Sequence, residues 1–258
     1  MWFKVKSFIL FLIKSTNQHG VHSPFVYNLI TKCFYSKTTK SKVILVKQMK
    51  QLLTSNNKII TVTDFGSGSK VFKNNERKVS KIAKVAGINF KKAQLLIRIV
   101  EYFQPQNVLE IGTSVGLSAA TISIGNPASN IETLEGCKNT SDVAKQLFKK
   151  FNLENINLTI GNFNKTLPST LDKNNFDLIY FDGNHQKEAT LHYFNLCVKT
   201  VHNNSIFIFD DINWSSEMQE AWEIIKSHPK VTISINTHFW GIIFFRKEQE
   251  KEHFTIRV

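Results

Sequence analysis

The sequence predicts an α/β fold in which a mostly parallel sheet is covered by helices on both faces. Five short apolar runs recur between residues 107 and 209, and each closes in an acidic residue, a glycine or an amide. Helical periodicity fills the intervals between them, as parallel neighbours require crossovers longer than a tight turn. The first run opens a strand, Gly-x-x-x-Gly, helix unit at Asn107-Val-Leu-Glu-Ile-Gly-Thr-Ser-Val-Gly-Leu-Ser118.

At the N-terminus, Lys4, Lys6 and Lys14 surround the apolar run Phe8-Ile-Leu-Phe-Leu-Ile13. That run is far short of the roughly 20 residues needed to cross a bilayer. It reads as an amphipathic helix that docks on the core, with peripheral membrane contact through residues 1–14 as the alternative. Lys58-Ile-Ile-Thr-Val-Thr63 is strand-like and enters a second glycine loop, Asp64-Phe-Gly-Ser-Gly-Ser69. No second strand ending in an acid follows it, so this loop is expected to be a structural turn or a substrate-side, anion-cradling loop with Lys70 and Lys73. From Gly87 to Phe103, Ala93, Leu96, Ile99, Val100 and Phe103 recur at helical spacing, and Pro105 stops the helix.

The next strand ends at Glu110, and Gly112 and Gly116 bracket the turn into a small-residue helix, Leu117 to Ile122. Without a Cβ, these glycines permit a sharp turn and a close approach to a ligand. The helix start presents unpaired N–H groups and a positive dipole end to a carboxylate or phosphate. Glu110 adds an acceptor that a phosphate loop would not want. The combination points to an adenosyl ligand bearing a carboxylate and a cationic amine; a plain strand-to-helix turn is the duller reading.

Ile131-Glu-Thr-Leu-Glu-Gly136 is a second strand, and Glu135 at its end can accept from both ribose hydroxyls. A helix capped by Thr140 or Ser141 follows, with Val143, Ala144, Leu147, Phe148 and Phe151 on one face. Ile156 to Ile160 leads into Gly161-Asn162, Phe176 to Phe181 into Asp182-Gly-Asn-His185, and Ser205 to Phe209 into Asp210-Asp211. A helix over Glu217 to Ser227 turns Met218, Ala221, Trp222 and Ile225 inward and is stopped by Pro229. Val231 to Asn236 and Trp240 to Arg246 complete the strands. In such sheets a ligand sits beyond the carboxyl ends of the strands, where these polar residues gather.

On these residues the chain resembles the class I S-adenosylmethionine-dependent methyltransferases, and among them the catechol-O-methyltransferase-like group, over about residues 80 to 245. The resemblance implies a Rossmann-like methyltransferase fold, with a mostly parallel seven-stranded sheet and an antiparallel last strand. A mainly helical, basic extension (1–79) would precede the methyltransferase domain (80–258). It implies S-adenosylmethionine contacts from Glu110, Gly112, Thr113, Ser114, Gly116, Ser118, Glu135, Gly136, Asn162 and Asp182. Ser118 falls where a serine holds the methionine carboxylate, and Asn162 beside the adenine. Asp182, Asp210 and Asp211 fall at the positions that hold a divalent cation in metal-dependent members. His185 sits where some members carry a basic lysine. His19-Gly-Val-His-Ser-Pro-Phe25 and the 64–69 loop together resemble a group of uncharacterised bacterial methyltransferases.

Methyl transfer from a sulfonium is an in-line displacement, so the site must align the partners and take a proton from the acceptor. An all-oxygen set such as Asp182, Asp210 and Asp211 suits Mg²⁺, which orients an oxygen nucleophile and lowers its pKa. An imidazole at His185 changes charge near neutrality and suits proton removal, with Asp182 beside it. Each has a plainer counterpart: Asp210-Asp211 as a cap for the following helix, and His185 as a loop hydrogen bond.

Residues 1–100 carry 19 Lys or Arg against Asp64 and Glu76, so 19 − 2 gives +17; the remainder carries 14 against 18, so 14 − 18 gives −4. The sum is the +13 of the whole chain. A basic region of this kind attracts RNA, an anionic surface or an anionic small substrate. The resemblance makes O-methylation of a small or medium-sized acceptor the leading expectation, with an RNA methyltransferase recruited by residues 1–100 second and a cofactor-binding regulatory protein third. The missing Asn/Asp-Pro-Pro-Tyr/Phe after the fourth strand argues against amino-group methylation of adenine, and the lack of a Pro-Cys nucleophile against carbon-5 methylation of cytosine. Cys33, Cys137 and Cys197 match no zinc spacing and suit a reducing cytoplasm.

Overall fold

The computed structural model describes residues 2–63 and 74–258. Helices α1 (Trp2–Lys14), α2 (Pro24–Leu29) and α3 (Lys40–Ser55) come first. Strands β1 (Ile59–Thr61) and β2 (Glu76–Lys78) then pair antiparallel as a separate small sheet. The glycine loop expected at 64–69 lies outside the described residues. Helices α4 (Val79–Val85) and α5 (Phe90–Phe103) lead to the main sheet.

That sheet alternates strand and helix: β3 (Asn107–Ile111), α6 (Leu117–Gly125), β4 (Asn130–Glu135), α7 (Lys138–Lys150), β5 (Ile156–Ile160), α8 (Phe163–Leu171), β6 (Leu178–Phe181), α9 (Lys187–Cys197), β7 (Ile206–Asp210) and α10 (Ser216–Ser227). Strands β8 (Ile233–Asn236), β9 (Trp240–Phe244) and β10 (Glu252–Thr255) close it. The order is β10-β8-β9-β7-β6-β3-β4-β5, and β9 alone runs against its neighbours β7 and β8. The chain reverses its direction of travel across the sheet at β3 and β6, which opens a crevice at their carboxyl ends.

The seven-strand expectation is corrected to eight. β10 adds to β8 in parallel register, secured by Glu252 N–H to Thr232 O at 2.8 Å and Ile256 N–H to Asn236 O at 2.9 Å. It covers an edge that would otherwise offer bare N–H and C=O groups. Its residues Glu-His-Phe-Thr form no apolar run, and backbone pairing rather than side-chain burial makes the strand.

Alternation along the strands splits the core in two. Val108, Leu178, Tyr180, Ile206 and Ile208 pack towards α5 and α6 together with Val26, Leu29, Val46, Met49 and Leu53 of the N-terminal helices. Leu109, Ile111, Ile179, Phe181, Phe207 and Phe209 face the other way, against Phe194 of α9 and Trp222 and Ile225 of α10. Each such side chain fully removed from water contributes about 1.5–3 kcal/mol. The residues before position 79 thus share one core with the sheet. Arg98 of α5 fastens them further, donating to Cys33 O at 3.1 Å and Phe34 O at 3.0 Å.

Helix α1 docks through Ser7 and Phe11, its two buried residues. The Ser7 hydroxyl donates to Asn213 Oδ1 at 2.9 Å and accepts from Gln219 Nε2 at 2.8 Å. The rings of Phe8 and Phe11 lie 5.0 and 5.2 Å from that of His238. Past the helix, Thr16 bridges the last strand's end, with its N–H on Thr255 O at 2.9 Å and its carbonyl accepting from Arg257 N–H at 3.2 Å. Among the described residues, no helix is long and apolar enough to cross a membrane.

Two expected caps are corrected. Helix α7 begins at Lys138 with Cys137 as its cap residue, and the Thr140 and Ser141 hydroxyls instead turn back to Cys137 O, each at 2.9 Å. Ser215, not Asp210 or Asp211, caps α10, accepting from Met218 N–H at 3.2 Å.

Candidate active site

The carboxyl ends of β3, β4, β6 and β7 bring together most of the residues singled out in the sequence. Gly112 has φ +108°, and a Cβ there would lie 2.6 Å from Asp182 O and 2.8 Å from Gly183 Cα. The tips of β3 and β6 are therefore packed backbone against backbone. Gly116 has φ +87° and is the cap residue of α6; a Cβ there would lie 2.8 Å from Phe148 Cε1. All nine residues of α6 are buried, and no side chain caps it among the described residues. Its first-turn N–H groups need an acceptor, and a carboxylate is a kind of group that suits them. Ser118, in that turn, is buried.

Glu110 is fully buried beneath this loop. Its Oε2 accepts from Thr133 Oγ1 at 2.5 Å, and Thr133 in turn shares a 2.5 Å hydrogen bond with the Thr113 hydroxyl. Thr113 therefore spends its side chain inside the protein and has only its backbone for a ligand. Glu110 Oε1 is buried with no hydrogen-bond partner among the described residues. Burial pushes the Glu110 carboxyl up to about 7; the Ser118 and Thr133 hydroxyls pull it back, and Glu135 adds to the rise.

Glu135 ties the loop to the next strand. Its Oε2 accepts from Ser114 N–H at 2.7 Å and its Oε1 from Cys137 N–H at 2.8 Å, across half-buried Gly136. Burial raises this carboxyl above the usual range against the pull of both N–H groups. Asn162 is exposed and caps α8, its Oδ1 accepting from Asn164 N–H at 2.9 Å. Its side chain thus has a structural task at the rim of the crevice.

Asp182 and the Asp210-Asp211 pair face each other, and a residue absent from the sequence-based site stands with them. Lys92 Nζ lies 2.5 Å from Asp210 Oδ1 and 3.3 Å from Asp211 Oδ1. The Lys92 and Asp210 side chains are 12% and 10% exposed, against 33% for Asp211. Burial alone would lower the lysine, yet Asp210 and Asp211 outweigh it and hold Lys92 above its ordinary value, firmly charged. Asp182 moves the other way from an ordinary carboxylate: burial and then Asp210 raise it well above the usual range, with Lys92 opposing. The Lys92 ammonium also sits 5.4 Å from the centre of the Phe239 ring.

As placed, these carboxylates do not fit a Mg²⁺ ion. Two of the three expected donors already serve an ammonium at hydrogen-bond distance, and like charges would meet there. The expectation of metal ligation by Asp182, Asp210 and Asp211 therefore meets a site whose charge Lys92 already balances in part. His185 Nε2 lies 3.8 Å from Asp182 Oδ1, and both His185 and Asp210 line a small cavity with Phe181, Tyr193 and Met218.

Four non-glycine residues with left-handed backbone ring this site: Ser114 (φ 51°), Asn184 (φ 53°), Asp211 (φ 53°) and His238 (φ 74°). Such conformations cost about 1–3 kcal/mol each and persist where surrounding contacts enforce them. Here Asp211 N–H is held by Phe239 O at 2.9 Å, and Asn213 Nδ2 by His238 O at 2.6 Å. The α1–His238 contact therefore adjoins the Asp210-Asp211 turn directly. Burial lowers His238, with Asp211 opposing and Lys92 reinforcing the shift. Lys92 and His238 escaped the sequence reading; two lysines in the first turn of α5, with no acid there, were the available signal, since the helix dipole disfavours cations at that end.

The strand order, the glycine turn and the acid-tipped strands give the chain the α/β, Rossmann-like fold of the class I methyltransferases. Residues 109–212 match the family model described as a methyltransferase domain. Over the larger part of the chain, the fold is similar to the SAH-bound methyltransferase PaMTH1 of Podospora anserina, at TM-score 0.61 and 15% identity, covering 86% of this chain and 94% of that one. An O-methyltransferase from Bacillus cereus in complex with SAH gives TM-score 0.55 at 18% identity, covering 80% and 90%. The O-methyltransferase TomG of Streptomyces achromogenes, involved in tomaymycin synthesis and in complex with SAM, gives 0.56 at 14%, covering 90% and 99%. At these identities the likeness is one of fold.

Proposed function

We propose that the chain transfers a methyl group to an oxygen of a small or medium-sized acceptor. The observation that carries this reading is the grouping of Glu110, Glu135 and Asp182 on adjacent strands around the uncapped start of α6. The first-turn N–H groups of α6 and Ser118 hold the methionine carboxylate, and Asp182 receives the ammonium. Glu135 accepts from the ribose hydroxyls, with Gly112, Thr113, Ser114 and Gly136 shaping the walls and Asn162 beside the adenine. S-adenosylmethionine supplies the electrophilic methyl carried on a sulfonium. His185, next to Asp182, takes the acceptor proton.

The acceptor end is bounded by the turn after β7, by His238 and Phe239, and by α1 behind them. That aromatic enclosure favours a compact, partly apolar hydroxyl compound. The Bacillus cereus and TomG structures, both described as O-methyltransferases, support oxygen as the receiving atom.

Calorimetry with S-adenosylmethionine and S-adenosylhomocysteine tests the binding half. Release of S-adenosylhomocysteine across a panel of phenols, catechols and hydroxamates, with amines as the contrast, tests the transfer half. The His185→Ala variant is expected to keep cofactor affinity and lose most turnover. Turnover of amines but not hydroxyl compounds would overturn the oxygen assignment, and unchanged turnover in His185→Ala would remove the base.

A further inference from the structure

We propose that Lys92 is the resident cation of the Asp182, Asp210 and Asp211 cluster at the acceptor end, and that methyl transfer by this chain needs no divalent ion. The inference rests on the methyltransferase reading above and deepens it.

Three carboxylates, Asp182, Asp210 and Asp211, end neighbouring strands β6 and β7 and cannot all be left uncompensated in a site this closed. An ammonium meets the need in place: Lys92 Nζ is 2.5 Å from Asp210 and 3.3 Å from Asp211. It is delivered from the first turn of α5, a rigid position, because Asn89 Oδ1 caps that helix by accepting from Lys92 N–H at 2.9 Å. The Phe239 ring centre lies 5.4 Å from the ammonium. An ammonium has three N–H donors, and the two aspartates take two of them. The third is available to an acceptor oxygen, which places Lys92 to orient the nucleophile electrostatically as a metal would, without changing coordination.

The class of acceptor follows. A hard cation favours two adjacent oxygens that chelate it, whereas a lysine hydrogen bond is satisfied by one. This chain is therefore suited to a lone hydroxyl and gains little from a vicinal diol.

The full chain is titrated with Mn²⁺, and free Mn²⁺ is followed by electron paramagnetic resonance, for the wild type, Asp210→Asn, Lys92→Met and Lys92→Met with Asp210→Asn. The wild type is expected to leave the free-ion signal unchanged up to about 1 mM, the weak end of the range of well-formed carboxylate sites. Lys92→Met is expected to gain one Mn²⁺ per chain, and the double variant to lose it again. A lysine with only a structural role would weaken folding in Lys92→Met without creating ion uptake, and folded Lys92→Met that takes up no Mn²⁺ overturns the proposal. Stoichiometric uptake by the wild type, abolished by Asp210→Asn, overturns it as well. This wild-type arm decides even if Lys92→Met does not fold. S-adenosylmethionine calorimetry on the same samples separates the two readings, because loss of cofactor binding sinks methyl transfer while the Mn²⁺ arm still reports on the aspartates.

Discussion

Replacing Glu110 by glutamine is expected to remove a pH dependence worth about 3 kcal/mol from the folding free energy. The carboxyl is fully buried, and burial raises its pKa from 4.5 to about 7 in the folded chain. At roughly 1.4 kcal/mol per tenfold change in proton affinity, that rise corresponds to about 3 kcal/mol. The sign follows from which state holds the proton more tightly. Below pH 4.5 the group is protonated in both states and its contribution is fully retained. As pH climbs towards 7, the unfolded chain ionises freely while the folded chain resists, so stability falls; above 7 the loss levels off. Urea unfolding of the wild type and Glu110→Gln across pH 5 to 8 reads the difference directly, and the subtraction cancels the aspartate cluster. The variant should gain on the wild type steadily as pH rises. Parallel stability curves over that range would refute the assignment of a neutral, desolvated carboxyl beneath the glycine loop.

Gly112→Ala combines a φ of +108° with a Cβ 2.6 Å from Asp182 O, and should cost about 3 kcal/mol or more in thermal or urea unfolding, with weakened S-adenosylmethionine binding by calorimetry. Glu135→Gln loses a carboxylate that accepts from Ser114 and Cys137 N–H groups, and should weaken cofactor affinity at least about tenfold, since hydrogen bonds to charged groups contribute roughly 1.5–3 kcal/mol. Asp210→Asn should destabilise the fold more than Asp211→Asn, because the Asp210 carboxylate is 10% exposed and the Asp211 carboxylate 33%; equal losses in urea would contradict the geometry. Cys33, pushed up to about 12 by burial, and Cys197, raised for the same reason, should resist alkylation at pH 8 in the native chain and react once it is unfolded, as mass spectrometry would show.

The strands and their acidic ends were legible because each is a local pattern: an apolar run, then a residue that cannot sit inside it. Glu110, Glu135 and Asp182 announce themselves within a few residues of chain. Lys92 does not, because its partner Asp210 lies 118 positions away, and a lysine in a helix reads as a solvated side chain. The same logic explains β10, whose existence depends on the free edge of β8 and not on its own composition. The start of α7 was misplaced because Thr140 and Ser141 look like capping residues, whereas Cys137 reaches the role through its backbone, held by Glu135. Two side chains assigned to the ligand turned out to be occupied in the fold, Thr113 by Thr133 and Asn162 by α8.

The bridge between Thr16 and the segment around Ile256 makes the beginning and end of the polypeptide into a single clasp. Trimming the last few residues would not merely shorten an edge strand. It would unfasten the loop that holds the first helix against His238, and so loosen the surroundings of the Asp210-Asp211 turn from more than two hundred residues away in sequence. Under the proposed reading, changes to residues 1–16 or 252–257 thus reach the acceptor end.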